Sequence, residues 1–203
     1  MIGPATLEAP DAPFTLPVIG IASSAGGLHT LSTVLGALPA RLNAAILVVQ
    51  HLSPSHTSHL AHILAGRTAL EVREAADRDQ LRQGIVLTAP PGAHLVVDRA
   101  GVVSFTHGPV VNWVRPSADS MFESLAGSFG TRAIAVILSG TGRDGAKGAQ
   151  MVKHAGGLLI VQDEATSEFF GMPGAAIDAG HVDRILPLEG IAPALESLTG
   201  GLQ

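Results

Sequence analysis

Short apolar runs that alternate with segments of helical periodicity constrain the fold of this chain more than any other feature. The runs at residues 16–22, 44–49, 133–138 and 158–162 are nearly continuous in aliphatic side chains. Such runs are typical of strands that are buried on both faces, since half-buried strands alternate apolar and polar residues. With amphipathic helices between them, they predict an α/β fold: a doubly wound, mostly parallel sheet with helices on both faces.

The middle of the chain has a different pattern. Short strands are predicted at residues 71–75, 85–88, 93–97 and 102–106, and breaks that contain Gly or Pro separate them. Closely spaced strands with such breaks are typical of hairpins, so we expect an inserted antiparallel hairpin region. Trp113, the single tryptophan, is expected to cover an edge of the core.

Length and charge narrow the class of protein. The chain has 203 residues, which suits one large domain. Residues 1–13 are irregular and proline-containing, and they predict a flexible leader or linker remnant before a folded domain at 14–203. A net charge of −5 without a basic run argues against nucleic acid or an anionic membrane as a partner. No apolar stretch reaches the ~18 residues of a membrane span and no signal peptide is evident, so the expected location is the cytoplasm.

Three polar residues stand just beyond the ends of predicted strands. Ser24 lies in a Gly-rich turn after the first strand, His51 follows the second, and Asp144 lies in the loop after a later one. Ligands of open α/β sheets bind beyond these strand ends, so the three side chains should converge. A serine hydroxyl needs a base such as histidine to become a nucleophile, and a carboxylate fixes the tautomer of the imidazole. Free N–H groups where a helix starts after Ser24 could bind an oxyanion.

Each of these residues also has a simpler structural interpretation. Ser24 suits an ordinary helix N-cap, His51 a loop histidine bonded to a carbonyl, and Asp144 a turn residue. The Gly-rich turn is similar to a phosphate cradle, but it lacks the G-x-G-x-x-G spacing and the Lys-Ser/Thr of a P-loop. The combination of strand ends, rather than any one residue, favours a serine hydrolase, and no cofactor is predicted.

Ordered motifs along nearly the whole chain resemble those of the catalytic domain of the CheB family, the chemotaxis protein-glutamate methylesterases. The matching motifs are Ser23-Ser24-Ala25-Gly26-Gly27, Gln50-His51, Arg115-Pro116-Ser117-Ala118-Asp119, Ser139-Gly140-Thr141-Gly142-Arg143-Asp144-Gly145, Gln162-Asp163-Glu164-Ala165 and Gly171-Met172-Pro173. By this resemblance Ser24 is the nucleophile, His51 the base and Asp144 the triad acid. The resemblance also implies a doubly wound α/β fold with an inserted antiparallel hairpin.

The resemblance further implies that the enzyme hydrolyses glutamate γ-methyl esters of chemoreceptors and releases methanol. Related enzymes also deamidate selected receptor glutamines. Residues that the resemblance places at the oxyanion site or substrate pocket are Ala25, Gly26, Thr141, Arg115 and Met172. Ala25 and Thr141 stand where the family usually has Thr and Met, so the oxyanion contacts are less firmly implied than the triad. Arg115 suits a structural ion pair equally well.

Two other functions remain open at this point. One is an esterase or amidase that acts on another protein or a small ester, because a triad does not name its substrate. The other is a catalytically silent adaptor that binds receptors, although an adaptor has no need of an intact Ser–His–Asp set. Family members typically carry an N-terminal receiver domain, for which residues 1–13 are too short. We therefore expect activity without a phosphorylation switch of its own, and a regulatory partner in trans stays open.

No metal is predicted. His51, His56 and His59 cluster in sequence, but a zinc site would need further ligands and the chain has no cysteine. A polar helix face is the favoured interpretation of this cluster. Because Ser24, His51 and Asp144 would supply nucleophile, base and orienting acid, we expect methanol release to survive exhaustive treatment with EDTA. Loss of turnover that zinc restores would contradict this expectation.

Overall fold

The computed structural model describes residues 13–51 and 58–200. The strands of this part are β1 (Val18–Ser23), β2 (Ala45–Gln50), β3 (Glu71–Glu74), β4 (Ile85–Thr88), β5 (His94–Val97), β6 (Val103–Thr106), β7 (Ala133–Ile137), β8 (Leu158–Gln162) and β9 (Arg184–Leu186). Seven of them form a parallel sheet in the order β3-β4-β2-β1-β7-β8-β9, while β5 and β6 pair antiparallel beside it.

Helices cover both faces of the sheet. They are α1 (Gly27–Gly36), α2 (Leu60–Ala65), α3 (Ala118–Phe129), α4 (Ala146–His154), α5 (Gly171–Asp178) and α6 (Leu188–Gly200). Alternate residues of each central strand point to opposite faces, so Ile19 belongs to the core cluster that α1, α2 and α6 cover, whereas Val18 belongs to the cluster that α3, α4 and α5 cover. The predicted doubly wound, mostly parallel α/β fold with an antiparallel hairpin is confirmed. None of the helices in the described part is long and apolar enough to cross a bilayer.

Two of the four middle strands do not belong to a hairpin, which corrects the sequence interpretation. β3 and β4 pair in parallel with each other, and β4 pairs in parallel with β2 of the main sheet. Every residue of β4 is buried, as expected of a strand inside a two-sided sheet. Gly84 precedes β4 with a φ of +71°. Glycine marks a break in the chain but does not specify which strands pair across it.

The sheet register places two of the predicted functional strand ends side by side. Ser23 pairs with Gln50 at the ends of β1 and β2, so Ser24 and His51 each follow one member of this pair. The His51 amide continues the ladder and donates to the Ser23 carbonyl at 3.1 Å. β7 flanks β1 on its other side, and the loop after β7 carries Asp144. The topology therefore brings the three predicted residues to one edge of the sheet.

Helices α3 and α4 cross closely at Gly148, next to the loop that carries Asp144. A β-carbon on Gly148 would lie 2.6 Å from the carbonyl oxygen of Asp119 and 2.8 Å from Cβ of Phe122. Gly127 on the exposed side of α3 offers a contrast, because a β-carbon there would meet nothing within 4 Å. Substitutions of these two glycines therefore distinguish the effect of helix packing on stability from the effect of helix propensity.

We expect Gly148→Ala to lower the free energy of unfolding by ~1–3 kcal/mol, because α3 and α4 must move apart to admit the methyl group. Gly127→Ala should instead raise it by ~0.5–1 kcal/mol, because alanine is the better helix former. Urea denaturation of both variants at neutral pH measures the two changes. Equal stabilisation by both substitutions would show that the helices do not meet as closely as described.

Candidate active site

A tight turn carries the chain from β1 through Ser24 into α1. The Ser24 amide donates to the Ser139 carbonyl at 3.1 Å, and the Gly27 amide donates to the Ser24 carbonyl at 2.9 Å. Gly26 is the N-cap of α1 with a φ of +77°, a conformation that glycine adopts without steric cost, and no side chain caps this helix. Ser24 is therefore not a helix cap. It is held, partly exposed, at the carboxyl end of β1.

Gln50 joins this turn to the end of β2. Its Nε2 donates to the carbonyl oxygen of Ser24 at 2.7 Å and to that of His51 at 3.3 Å. Its Oε1 accepts a hydrogen bond from the Ser23 hydroxyl. A buried amide can serve both strands in this way because it donates and accepts. Gln50 therefore fixes the backbone of Ser24 relative to that of His51.

His51 and Asp144 form the hydrogen-bonded pair expected of a base and its orienting acid. Nε2 of His51 lies 2.8 Å from Oδ2 of Asp144, and the two side chains are 11% and 3% exposed. With Nε2 facing the carboxylate, Nδ1 is the ring nitrogen left for Ser24. Within the described residues the Ser24 hydroxyl forms no hydrogen bond with His51, although strand register places the two residues beside each other. Catalytic contacts of this kind commonly tighten only when substrate binds.

The Asp144 carboxylate also closes the N-terminus of helix α3. Its Oδ2 accepts from the Ala118 amide at 2.6 Å. Its Oδ1 accepts from the Ser117 hydroxyl at 2.7 Å and from Nδ2 of Asn112 at 3.1 Å. The first amide of a helix has no partner inside its own helix, and Asp144 supplies one from another loop. These contacts leave the carboxylate little freedom to rotate away from His51.

The pKa of Asp144 reflects a balance between burial and hydrogen bonding. Burial alone would raise the pKa of this carboxyl group. Hydrogen bonds from His51, Ser117, Ala118 and Asn112 favour the carboxylate more strongly, so its pKa lies below the ordinary value. Asp144 is therefore ionised at neutral pH, as a group that stabilises an imidazolium must be.

A second buried acid, Asp119, lies close to Asp144. Its Oδ1 accepts from the Gly148 amide at 2.7 Å, and its Oδ2 accepts from Nδ2 of Asn112, also at 2.7 Å. Burial raises the pKa of Asp119, and the charge of Asp144 raises it further; the hydrogen bonds from Gly148 and Asn112 offset only part of this effect. One amide group of Asn112 thus bridges two carboxylates whose pKa values are shifted in opposite directions.

Asn112 belongs to a two-residue turn that reverses the chain beside the site. Val111 and Val114 exchange backbone hydrogen bonds at 3.2 and 2.9 Å across the turn. Asn112 and Trp113 between them have φ values of +49° and +67°, the pattern of a type I′ hairpin turn. Trp113 is 95% exposed, so the expectation that it covers the core was wrong. A left-handed conformation costs roughly 1–2 kcal/mol for a residue other than glycine, and asparagine tolerates it best.

Met172 and the turn that carries Ser24 both lie close to Gly140. The Met172 side chain is fully buried, and a β-carbon on Gly140 would collide with its sulfur and lie 2.9 Å from Cβ of Ser24. The Met172 amide donates to the Gly140 carbonyl at 2.8 Å. The loop that carries Asp144 and the start of α5 therefore approach Ser24 closely, and only glycine fits at position 140.

The predicted oxyanion residues differ in their placement. The amides of Ala25 and Gly26 lie in the turn after Ser24 and donate to no residue in the described ranges. The fold therefore fixes these two N–H groups and leaves them available to another acceptor. Thr141 is exposed in the loop that carries Asp144, and no described contact links it to Ser24. The turn itself is thus the better source of oxyanion donors.

Arg115 is held by the backbone of its own segment. Its Nη1 donates to the carbonyl oxygens of Gly108 at 2.9 Å and His107 at 3.4 Å. It forms no ion pair with the acids of the described ranges. Arg115 also lines a cleft of about 160 Å³ together with His51 and Trp113. Its guanidinium therefore supports the loop that forms one wall of the site.

Sequence reasoning gave no separate role to Gln50, Ser117 or Asn112. Gln50 and Ser117 are polar residues inside two of the motifs named above, and this position was the available signal. Asn112 offered no signal, because its two carboxylate partners become neighbours only in the fold. In the described part of the chain no three His, Asp or Glu side chains are grouped as metal ligands. His56 lies outside that part, so metal independence stays a prediction.

The fold and these contacts define an α/β protein with a Ser–His–Asp set at the carboxyl edge of a parallel sheet, a set that recurs among serine hydrolases of unrelated folds. A family model described as CheB methylesterase matches residues 19–195. The chain belongs to the CheB methylesterase family, as its motifs predicted.

Individual relatives agree with this assignment. A protein-glutamate methylesterase/protein-glutamine glutaminase of Moorella thermoacetica is 44% identical over 91% of this chain and 44% of its own length. The protein-glutamate methylesterase FrzG of Myxococcus xanthus is 42% identical over 88% of this chain and 54% of its own length. The chain thus spans about half the length of these curated relatives. The crystal structure of the Thermotoga maritima CheB methylesterase catalytic domain matches with a TM-score of 0.87 and 37% identity, over 91% of this chain and all of that domain.

The linked roles of Asp144 lead to a pH-dependent prediction. Asp144→Asn should lower the free energy of unfolding at pH 7 by ~1–3 kcal/mol, because the amide nitrogen cannot accept from the donors that surround it. The contribution of the carboxylate is complete above the unfolded pKa and is lost as pH falls through the lower folded pKa. The stability difference should therefore persist down to about pH 4 and shrink below it. Urea denaturation of both proteins between pH 7 and pH 2.5 measures it, and a difference that already disappears near pH 6 would contradict the assignment.

Proposed function

We propose that this protein is a serine hydrolase that removes methyl esters from glutamate side chains of chemoreceptors. The hydrogen bond between Nε2 of His51 and Oδ2 of Asp144, together with the strand register that places His51 and Ser24 at adjacent strand ends, is the observation that carries this proposal. Relatives named protein-glutamate methylesterase support the substrate class. An intact set of three catalytic side chains also argues against a silent adaptor.

In the proposed mechanism Nδ1 of His51 accepts the hydroxyl proton of Ser24 as its Oγ attacks the ester carbonyl carbon. Asp144 stays ionised and stabilises the imidazolium that forms. The imidazolium then returns the proton to the departing methoxide oxygen, which leaves as methanol. Water attacks the resulting acyl-enzyme with His51 again as base, so the products are a glutamate carboxylate and free Ser24.

The unused amides of Ala25 and Gly26 are the proposed oxyanion donors. They follow the nucleophile directly and lie where α1 begins, and such amides carry partial positive charge. Donors of this kind stabilise the charge that develops on the carbonyl oxygen in the transition state. We assign no such role to Thr141.

Deamidation of receptor glutamine would follow the same steps. The leaving group would be ammonia instead of methanol, and the acyl-enzyme would be the same. Relatives whose names include protein-glutamine glutaminase support this second activity of the site. The receptor as partner, a regulatory partner in trans and the cytoplasmic location stay part of the proposal.

We expect Ser24→Ala to reduce methanol release from methylated receptor on the order of 10⁴-fold or more, because the nucleophile is lost. Ser197→Ala is the control, since Ser197 is an exposed serine on α6 whose side chain makes no hydrogen bond within the described residues. The control should retain wild-type turnover, and both variants should keep the wild-type unfolding transition. Near-normal methanol release by Ser24→Ala would exclude Ser24 as the nucleophile.

A further inference from the structure

Trp113 is exposed and strained at the same time. Its side chain is 95% exposed, and its backbone has a φ of +67°. Bulky residues rarely adopt this conformation, and two-residue hairpin turns favour glycine or asparagine instead. Because the side chain is almost fully in solvent, packing within the described fold does not offset the strain. Strained residues that the fold does not require are concentrated at functional sites.

The turn that presents Trp113 is anchored to the triad acid. Its other central residue, Asn112, donates to Oδ1 of Asp144 at 3.1 Å and to Oδ2 of Asp119 at 2.7 Å. The backbone of Trp113 is therefore held at a fixed position relative to Asp144. A tryptophan presented in this way loses little backbone freedom when it makes a contact.

The same turn forms the rim of a cleft that His51 lines, while Ser24 lines a neighbouring cleft with Gln50. Trp113 and His51 line one cleft of about 160 Å³ together with Val110, which is 52% exposed. Both exposed apolar side chains thus lie on the His51 side of the site. An exposed tryptophan beside an apolar neighbour is typical of binding anchors, because Trp is enriched among the residues that dominate interfaces.

The esterified side chain of the proposed substrate is short, so the substrate backbone has to approach the protein surface. The ester carbonyl carbon of a glutamyl side chain lies on the order of 4 Å from its own Cα, as ordinary C–C bond lengths require. A glutamyl ester that reaches Ser24 therefore brings its polypeptide close to the rim of the cleft. Neighbouring side chains of that polypeptide then come within reach of the residues around the cleft that His51 lines.

We propose that Trp113 is a docking residue for the protein substrate, and that it packs against an apolar side chain and main chain next to the esterified glutamate. This inference rests on the proposed function and names a recognition element for the same site. A small ester lacks the surrounding polypeptide and would not use Trp113. The residue should thus contribute to the recognition of protein substrate without contributing to the chemical step.

The test exploits the positive φ of Trp113. Trp113→Gly removes the side chain and suits the backbone, so the melting temperature should stay equal or rise. We expect kcat/KM for methylated chemoreceptor to fall roughly tenfold or more, mainly through KM. Hydrolysis of p-nitrophenyl acetate should be unchanged. Ile185→Ala is the control, because Ile185 is 50% exposed on the edge strand β9 and should affect neither substrate.

Three results would overturn the inference. An unchanged kcat/KM of Trp113→Gly on methylated receptor would exclude a docking role. An equal loss on receptor and small ester would place the effect in the chemistry. Loss of self-association in sedimentation, with KM unchanged, would assign Trp113 to contact with a second copy of this chain. If the wild-type protein hydrolyses the small ester but releases no methanol from receptor, the proposed function fails as well.

Discussion

The Asp144 carboxylate is the interaction on which the rest of the site depends. It accepts hydrogen bonds from His51, the proposed base, from the first amide of α3 at Ala118, and from Ser117 and Asn112. One buried charge thereby orients the imidazole and closes a helix that packs on the central sheet. The proposed catalytic demand and the structural demand coincide, since a carboxylate with a depressed pKa keeps the negative charge that stabilises an imidazolium.

Two buried acids so close together need a neutral group between them. Asn112 provides it: its Nδ2 donates to Asp144 and to Asp119, which lowers the cost of two nearby negative charges. The pKa of Asp144 lies below its ordinary value and that of Asp119 above it. The two residues are thus distinguished by their environment, and Asp144, the one with more charge-stabilising donors, is the one that faces His51.

Patterns that arise from local chemistry could be predicted from the sequence. The aliphatic runs located β1, β2, β7 and β8 because burial on both faces leaves a continuous signal. The ends of these strands then predicted that Ser24, His51 and Asp144 lie at one edge of the sheet, and their roles in catalysis stay a proposal. Pairing could not be predicted in the same way: β3 and β4 joined the main sheet in parallel, since the choice of partner depends on distant strands. The role of Asn112 was hidden for the same reason, because its contact with Asp144 spans 32 positions.

The turn of Asn112 and Trp113 connects the cleft that His51 lines with the Asp144 carboxylate. Both residues have positive φ, but only Asn112 gains hydrogen bonds that offset the strain. A displacement of the turn would remove one donor from Asp144 and one from Asp119, and would leave two carboxylates facing each other without a bridge. Their repulsion opposes such a movement. The backbone position of Trp113 is therefore maintained through Asn112 by the same carboxylate, Asp144, that orients His51.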